Sequence, residues 1–131
     1  QRQMCIRDRL KNKIITFLGV TFKPNTDDMR EASSIPMINY LNKKGSKIRY
    51  YDPSGKKREF DKLKNVKFYD NISSACIKSD LIIIHTEWNA FKLLDFKKLV
   101  KKKNFKVFDM RNIYSQDKMR DLKIDYTSIG R

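Results

Sequence analysis

Two cations stand where they could hold an anion. Lys23 lies in Phe22-Lys23-Pro24-Asn25, shortly after an apolar run, and Arg111 lies in Asp109-Met110-Arg111-Asn112, directly after another. A guanidinium presents a planar fork that matches a phosphate bidentately, whereas an ammonium supplies a compact point charge. Side by side the two would suit a diphosphate. Arg111 has a plainer alternative, a structural ion pair with Asp109, but its place at a strand's end favours the phosphate role. Asp27, Asp28, Arg30 and Glu31 follow Lys23 and resemble a carboxylate pair for acid–base work. Helix capping and neutralisation of Arg30 account better for the acids. Arg30 itself reads equally as loop scaffold or as ligand contact.

The other reactive residue types read as structural. His85 is the only histidine and has no metal-ligating partner at a suitable spacing, so it reads as a satisfied, semi-buried side chain. Trp88 and Phe91 could stack on a base, but their spacing of three suits core packing. Cys76 lies between Ala75 and Ile77, where a free thiol behaves as a small hydrophobe. With Cys5 the only other cysteine, there is no disulfide framework and no thiolate metal site, which points to a reducing cytoplasm.

These residues need a scaffold, and the hydrophobic pattern supplies one. Ile14 to Leu18 is a short apolar run ending at Gly19, as in a buried parallel strand. Ser33 or Ser34 can cap a helix with Ile35, Ile38, Tyr40 and Leu41 on its apolar face, stopped at Gly45. Further strands are expected at 47–51, 66–69, 81–85, 106–108 and 125–129. Helices are expected at 72–77, 96–103 and 115–122. Strands alternating with helices at this spacing imply an α/β, Rossmann-like, doubly wound domain. Its sheet would be mostly parallel, of about five to six strands, with helices on both faces. The length of 131 residues suits one such domain, spanning residues 10–131. Residues 1–9 carry no periodicity and read as a linker remnant or non-native tail.

In open α/β sheets, ligands bind outside the carboxyl ends of the strands. The segments 20–31, 86–91 and 109–114 all follow strands, so they should converge there. The first of them lacks Gly-x-Gly-x-x-Gly, since only Gly19 is present, and such a turn does not cradle a dinucleotide pyrophosphate.

The formal net charge is +15, from 30 Lys and Arg against 15 Asp and Glu. A basic nucleic-acid-binding module is therefore the alternative from another class. However, 21 of the 30 cations are lysines spread along the whole chain, with no aromatic or zinc-finger motif among them, so solvated faces explain them better. No apolar run approaches the roughly 18 residues that span a bilayer, and no secretory signal is apparent.

Taken together, Phe22 to Glu31, Tyr51-Asp52-Pro53, Thr86-Glu87-Trp88, Asp109 to Asn112 and Ser128-Ile129-Gly130-Arg131 resemble the UDP-glucose/GDP-mannose dehydrogenase family. The resemblance covers that family's last domain and is closest to its UDP-glucose branch; other members act on UDP-N-acetyl sugars or GDP-mannose. It implies an NAD-dependent enzyme that oxidises a sugar's primary alcohol to a carboxylate in two hydride transfers. An N-terminal Rossmann domain would bind NAD, and a central helical region would carry the catalytic Cys. Both lie outside this stretch, and neither Cys5 nor Cys76 is that nucleophile, so the stretch alone would be inactive. By the resemblance Phe22 and Lys23 contact the substrate, Arg111 binds its UDP portion and Arg30 reaches NAD across the domain cleft. The whole enzyme would be a cytoplasmic homo-oligomer, without a membrane or a specific nucleic acid as partner. Met110 departs from the family pattern, which has Gly before the Arg.

Overall fold

The computed structural model describes residues 10–129. Residues 1–9, with Cys5, and the Gly130-Arg131 end of the last motif lie outside the described residues. Six strands form one sheet: β1 (Ile14–Leu18), β2 (Lys47–Tyr51), β3 (Val66–Phe68), β4 (Leu81–Ile84), β5 (Lys106–Asp109) and β6 (Asp125–Ser128). Their order is β3-β2-β1-β4-β5-β6, and every neighbouring pair is parallel. The expected doubly wound architecture is thus present, and the chain reverses direction across the sheet between β1 and β4.

Parallel strands covered on both sides must be apolar on both faces. Alternate residues of β4 accordingly enter different cores. Ile82 and Ile84 join Leu18, Phe91, Phe96, Val100 and Met119 on one face. Ile83 joins Ile15, Phe17, Ile38, Tyr50 and Phe60 on the other. Helix α1 (Ser34–Lys43) and the 3₁₀ turn at Arg58–Phe60 cover the second face. Helices α2 (Ile72–Cys76), α3 (Phe96–Val100) and α4 (Gln116–Asp121) cover the first. Cys76 is fully buried there, and burial pushes its thiol up to about 12, so it stays neutral packing material.

Local chemistry sets the helix limits. Asn71, Asp95 and Ser115 each accept a backbone N–H at the start of α2, α3 and α4. α3 stops at Val100 rather than running to Lys103, because Lys101 turns into the left-handed region at φ 53°. α1 departs from expectation at its start, where neither Ser33 nor Ser34 caps it through its side chain. Tyr40 also faces solvent, leaving Ile38 as its deeply buried apolar residue.

Register aligns the carboxyl ends. Leu18 stands opposite both Tyr51 and Ile84, Ile84 opposite Asp109, and Asp109 opposite Ser128. The segments that follow β1, β2, β4 and β5 therefore leave the sheet from one row.

Candidate functional site

The segment after β1 is built on a glycine, a threonine and an aspartate from the neighbouring strand. Gly19 has φ +80°, and a Cβ there would stand 2.6 Å from the Cβ of Thr86, so no other residue fits. The carboxylate of the fully buried Asp52 then accepts the Val20 N–H at 2.8 Å and the Thr21 N–H at 3.3 Å. Ser34 Oγ donates to the Val20 carbonyl at 2.6 Å, and Thr86 Oγ1 donates to the Thr21 carbonyl at 2.8 Å. Thr21 Oγ1 donates onward to the Lys23 carbonyl at 3.0 Å. Finally, the Phe22 N–H closes a loop onto the Asp28 carbonyl at 3.0 Å. Phe22, 43% exposed, and the exposed Lys23 stand on this anchored base.

The segment after β5 is organised the same way, by Asp109. Its buried carboxylate accepts the N–H groups of Arg111, Ile113 and Tyr114 at 3.0, 2.8 and 3.1 Å, and the Tyr126 hydroxyl at 2.7 Å. With its lone pairs committed to these donors, it makes no ion pair with the Arg111 side chain. Instead, Arg111 Nε–H donates to the His85 carbonyl at 2.8 Å and Nη2–H to the Phe22 carbonyl at 3.4 Å. Glu87 lies 3.9 Å from Nε. A guanidinium carries five N–H groups, and two meet carbonyls here, so the rest are available to a ligand. Met110 turns its side chain onto the core while its N–H binds the Ile84 carbonyl, leaving the Arg111 backbone in place.

Phe22, Lys23 and Arg111 are thus brought to one rim, at the β1–β4 reversal. Arg30 stands at the base of the closed loop and pairs with Asp28, Nε to Oδ1 at 3.1 Å and Nη2 to Oδ2 at 3.2 Å. That hydrogen bonding holds the Asp28 carboxyl below its usual value, with the Lys23 charge adding a smaller effect. Asp28 neutralises Arg30 as anticipated, but the acids cap no helix, since α1 begins only at Ser34.

His85 is fully rather than partly buried, at 1% exposure. Thr86 Oγ1 already donates to Thr21, so it accepts from His85 Nδ1–H at 3.0 Å, and Ser33 Oγ donates to Nε2 at 2.9 Å. This chain of bonds specifies a neutral Nδ1–H imidazole. Burial, helped by the Arg111 charge, pushes its pKa down from 6.5 to about 4. Phe91 is buried and Trp88 packs against the core, as their spacing suggested. The anchoring roles of the buried Thr21, Ser34, Asp52 and Thr86 were not part of the sequence reading, which named Ser34 only as a helix cap and Asp52 and Thr86 only within motifs. Their one visible signal was polar residues beside the apolar ends of strands, where unpaired backbone groups need partners.

Elsewhere, a cleft of about 490 Å³ lies at the opposite edge of the sheet, lined by Lys13, Asp80, Lys106 and Asp125 among others. Among the described residues no group of three His, Cys, Asp or Glu could hold a metal, and no helix is long and apolar enough to cross a membrane.

The family model for the UDP binding domain of the UDP-glucose/GDP-mannose dehydrogenase family matches residues 16–116. UDP-glucose 6-dehydrogenase of Rhizobium meliloti is 36% identical over 125 residues, covering 93% of this chain and 28% of the relative. UDP-glucose 6-dehydrogenase of Bacillus subtilis is 37% identical over 123 residues, covering 91% and 28%. The chain therefore spans little more than a quarter of the length of these relatives. NDP-N-acetyl-D-galactosaminuronic acid dehydrogenase of Methanosarcina mazei has a similar structure at TM-score 0.80 and 25% identity, covering 93% of this chain and 25% of that one. A UDP-glucose dehydrogenase of Pyrobaculum islandicum matches at TM-score 0.69 and 25% identity, covering 93% and 27%. With the matched region spanning all of β1 to β5 except the first residues of β1, the chain belongs to the UDP-glucose/GDP-mannose dehydrogenase family and carries its UDP binding domain.

Proposed function

We propose that this chain is the nucleotide-sugar-binding domain, residues 10–131, of an NAD-dependent UDP-glucose 6-dehydrogenase. In this reading Arg111 and Lys23 grip the UDP diphosphate, Phe22 packs against the substrate, and Arg30 faces the cofactor. The observation that carries it is the Arg111 Nη2–H to Phe22 carbonyl bond, which joins two segments distant in sequence into one cationic rim. The names of the relatives favour glucose as the sugar.

The first turn of this sheet does not fit NAD. Gly19 is its only glycine, and its missing side chain makes room for Thr86 rather than for a pyrophosphate. NAD would be held mainly by another part of the enzyme, where it supplies the hydride acceptor. What this chain's residues do is bind and orient. Arg111 and Lys23 fix the phosphates, and the bonds beneath them keep that geometry in place without substrate. No residue described here acts as nucleophile or proton carrier in the oxidation, so the chain alone binds without turnover.

Calorimetric titration tests this. UDP and UDP-glucose should bind the chain, Arg111→Ala should weaken both at least tenfold, and no NAD reduction should follow UDP-glucose addition. Equal heats for wild type and Arg111→Ala would refute the assignment.

A further inference from the structure

We propose that Thr21 is a positioning residue that sets the direction of Lys23 toward the nucleotide diphosphate. The inference rests on reading this rim as the UDP site and adds a residue that never touches the ligand. Thr21 is fully buried, yet all three of its polar groups are engaged with different parts of the rim. Its N–H reaches Asp52 beyond β2, its carbonyl takes the Thr86 hydroxyl beyond β4, and its own hydroxyl holds the Lys23 carbonyl. The first two bonds pin Thr21 to both neighbouring strands. The third transmits that fixed position to the backbone of an exposed lysine two residues on.

Asp52 is itself secured. Ser54 donates to it through N–H at 2.9 Å and through Oγ at 2.5 Å, and the nearly buried Lys57 donates its ammonium to Ser54 Oγ at 2.6 Å. Four donors thus meet the two oxygens of this buried carboxylate, the Val20, Thr21 and Ser54 N–H groups and the Ser54 hydroxyl, which fixes its orientation. The sequence Asp52–Thr21–Lys23 is therefore a rigid support. A lysine has a flexible four-carbon stem, so fixing its backbone removes part of the freedom it would otherwise lose on binding phosphate.

The test titrates the 131-residue chain with UDP, followed by ¹⁵N NMR at two salt concentrations. Thr21→Val keeps the shape and removes the hydroxyl, and its dissociation constant should rise roughly fivefold, the worth of one ordinary hydrogen bond. Thr21→Ser keeps the hydroxyl and should stay within about twofold of wild type. The salt dependence of binding in Thr21→Val should flatten toward that of Lys23→Ala, a readout that a purely structural role would not move. Wild-type affinity in Thr21→Val, alongside weakened binding in Lys23→Ala, overturns the proposal while leaving the site intact. Wild-type affinity in Lys23→Ala as well means the reading of the site has failed, and this proposal with it. Should Thr21→Val not fold, Thr21→Ala must show the same loss, and unchanged affinity there overturns the proposal equally.

Discussion

Arg111 is oriented by hydrogen bonds to carbonyl oxygens, from His85 and Phe22, with the Glu87 carboxylate farther off, at 3.9 Å from Nε. This separates it from Arg30, whose fork is taken up by Asp28. A lysine at position 111 could not make both carbonyl contacts and still present a planar pair of donors. Arg111→Lys should therefore weaken UDP binding about tenfold in a calorimetric titration, with little change in melting temperature. His85 makes a second residue-scale prediction. Its folded pKa of about 4 lies below its ordinary 6.5, so the unfolded chain binds the extra proton between those values. Stability is complete above pH 6.5 and is lost as pH falls toward 4, by about 3 kcal/mol. Melting curves across that range should show the loss, and His85→Gln, which cannot titrate, should flatten it. The candidacy of Lys23 and Arg111 was readable from sequence, because their types and flanking apolar runs are local features. The neutral state of His85 was not, because it depends on Ser33 and Thr86 closing around the ring.

At the scale of elements, the rim is held by two buried aspartates at the ends of β2 and β5. Each accepts N–H groups from a turn that has no strand or helix partner for them. Asp109→Asn keeps the size but offers one accepting oxygen for donors now shared between two. At least one buried N–H would then face an amide NH₂, and chemical denaturation should register a loss of about 2 kcal/mol. An unchanged midpoint would show that the β5 turn holds itself. The central strands β1 and β4 were readable because parallel strands buried on both faces are nearly unbroken apolar runs. The end of α3 was not, since three successive lysines continue a helical pattern while Lys101 turns left-handed. The Asp109 role was missed for a similar reason. Sequence places an acid beside Arg111 and suggests an ion pair, whereas the acid's geometry is spent on backbone.

Over the whole molecule, the excess of positive charge acts on anions from a distance, without specifying any of them. Binding of a DNA fragment should fade between low salt and about 0.2 M, as counterion release dictates, and should not be competed by UDP. The proposed binding of UDP at the rim is a different quantity, because it would depend on donors fixed in place. The doubly wound order explains why a sequence reading could foresee the rim's location: once β1 and β4 flank the reversal, the segments after them have one edge to share. The most direct measurement maps amide shift changes on UDP addition to the ¹⁵N-labelled chain. The largest changes should fall at Phe22, Lys23 and Arg111, with little effect near Lys13 and Lys106. Changes confined to the cleft at the opposite edge, or none at all at saturating UDP, would contradict the proposed site.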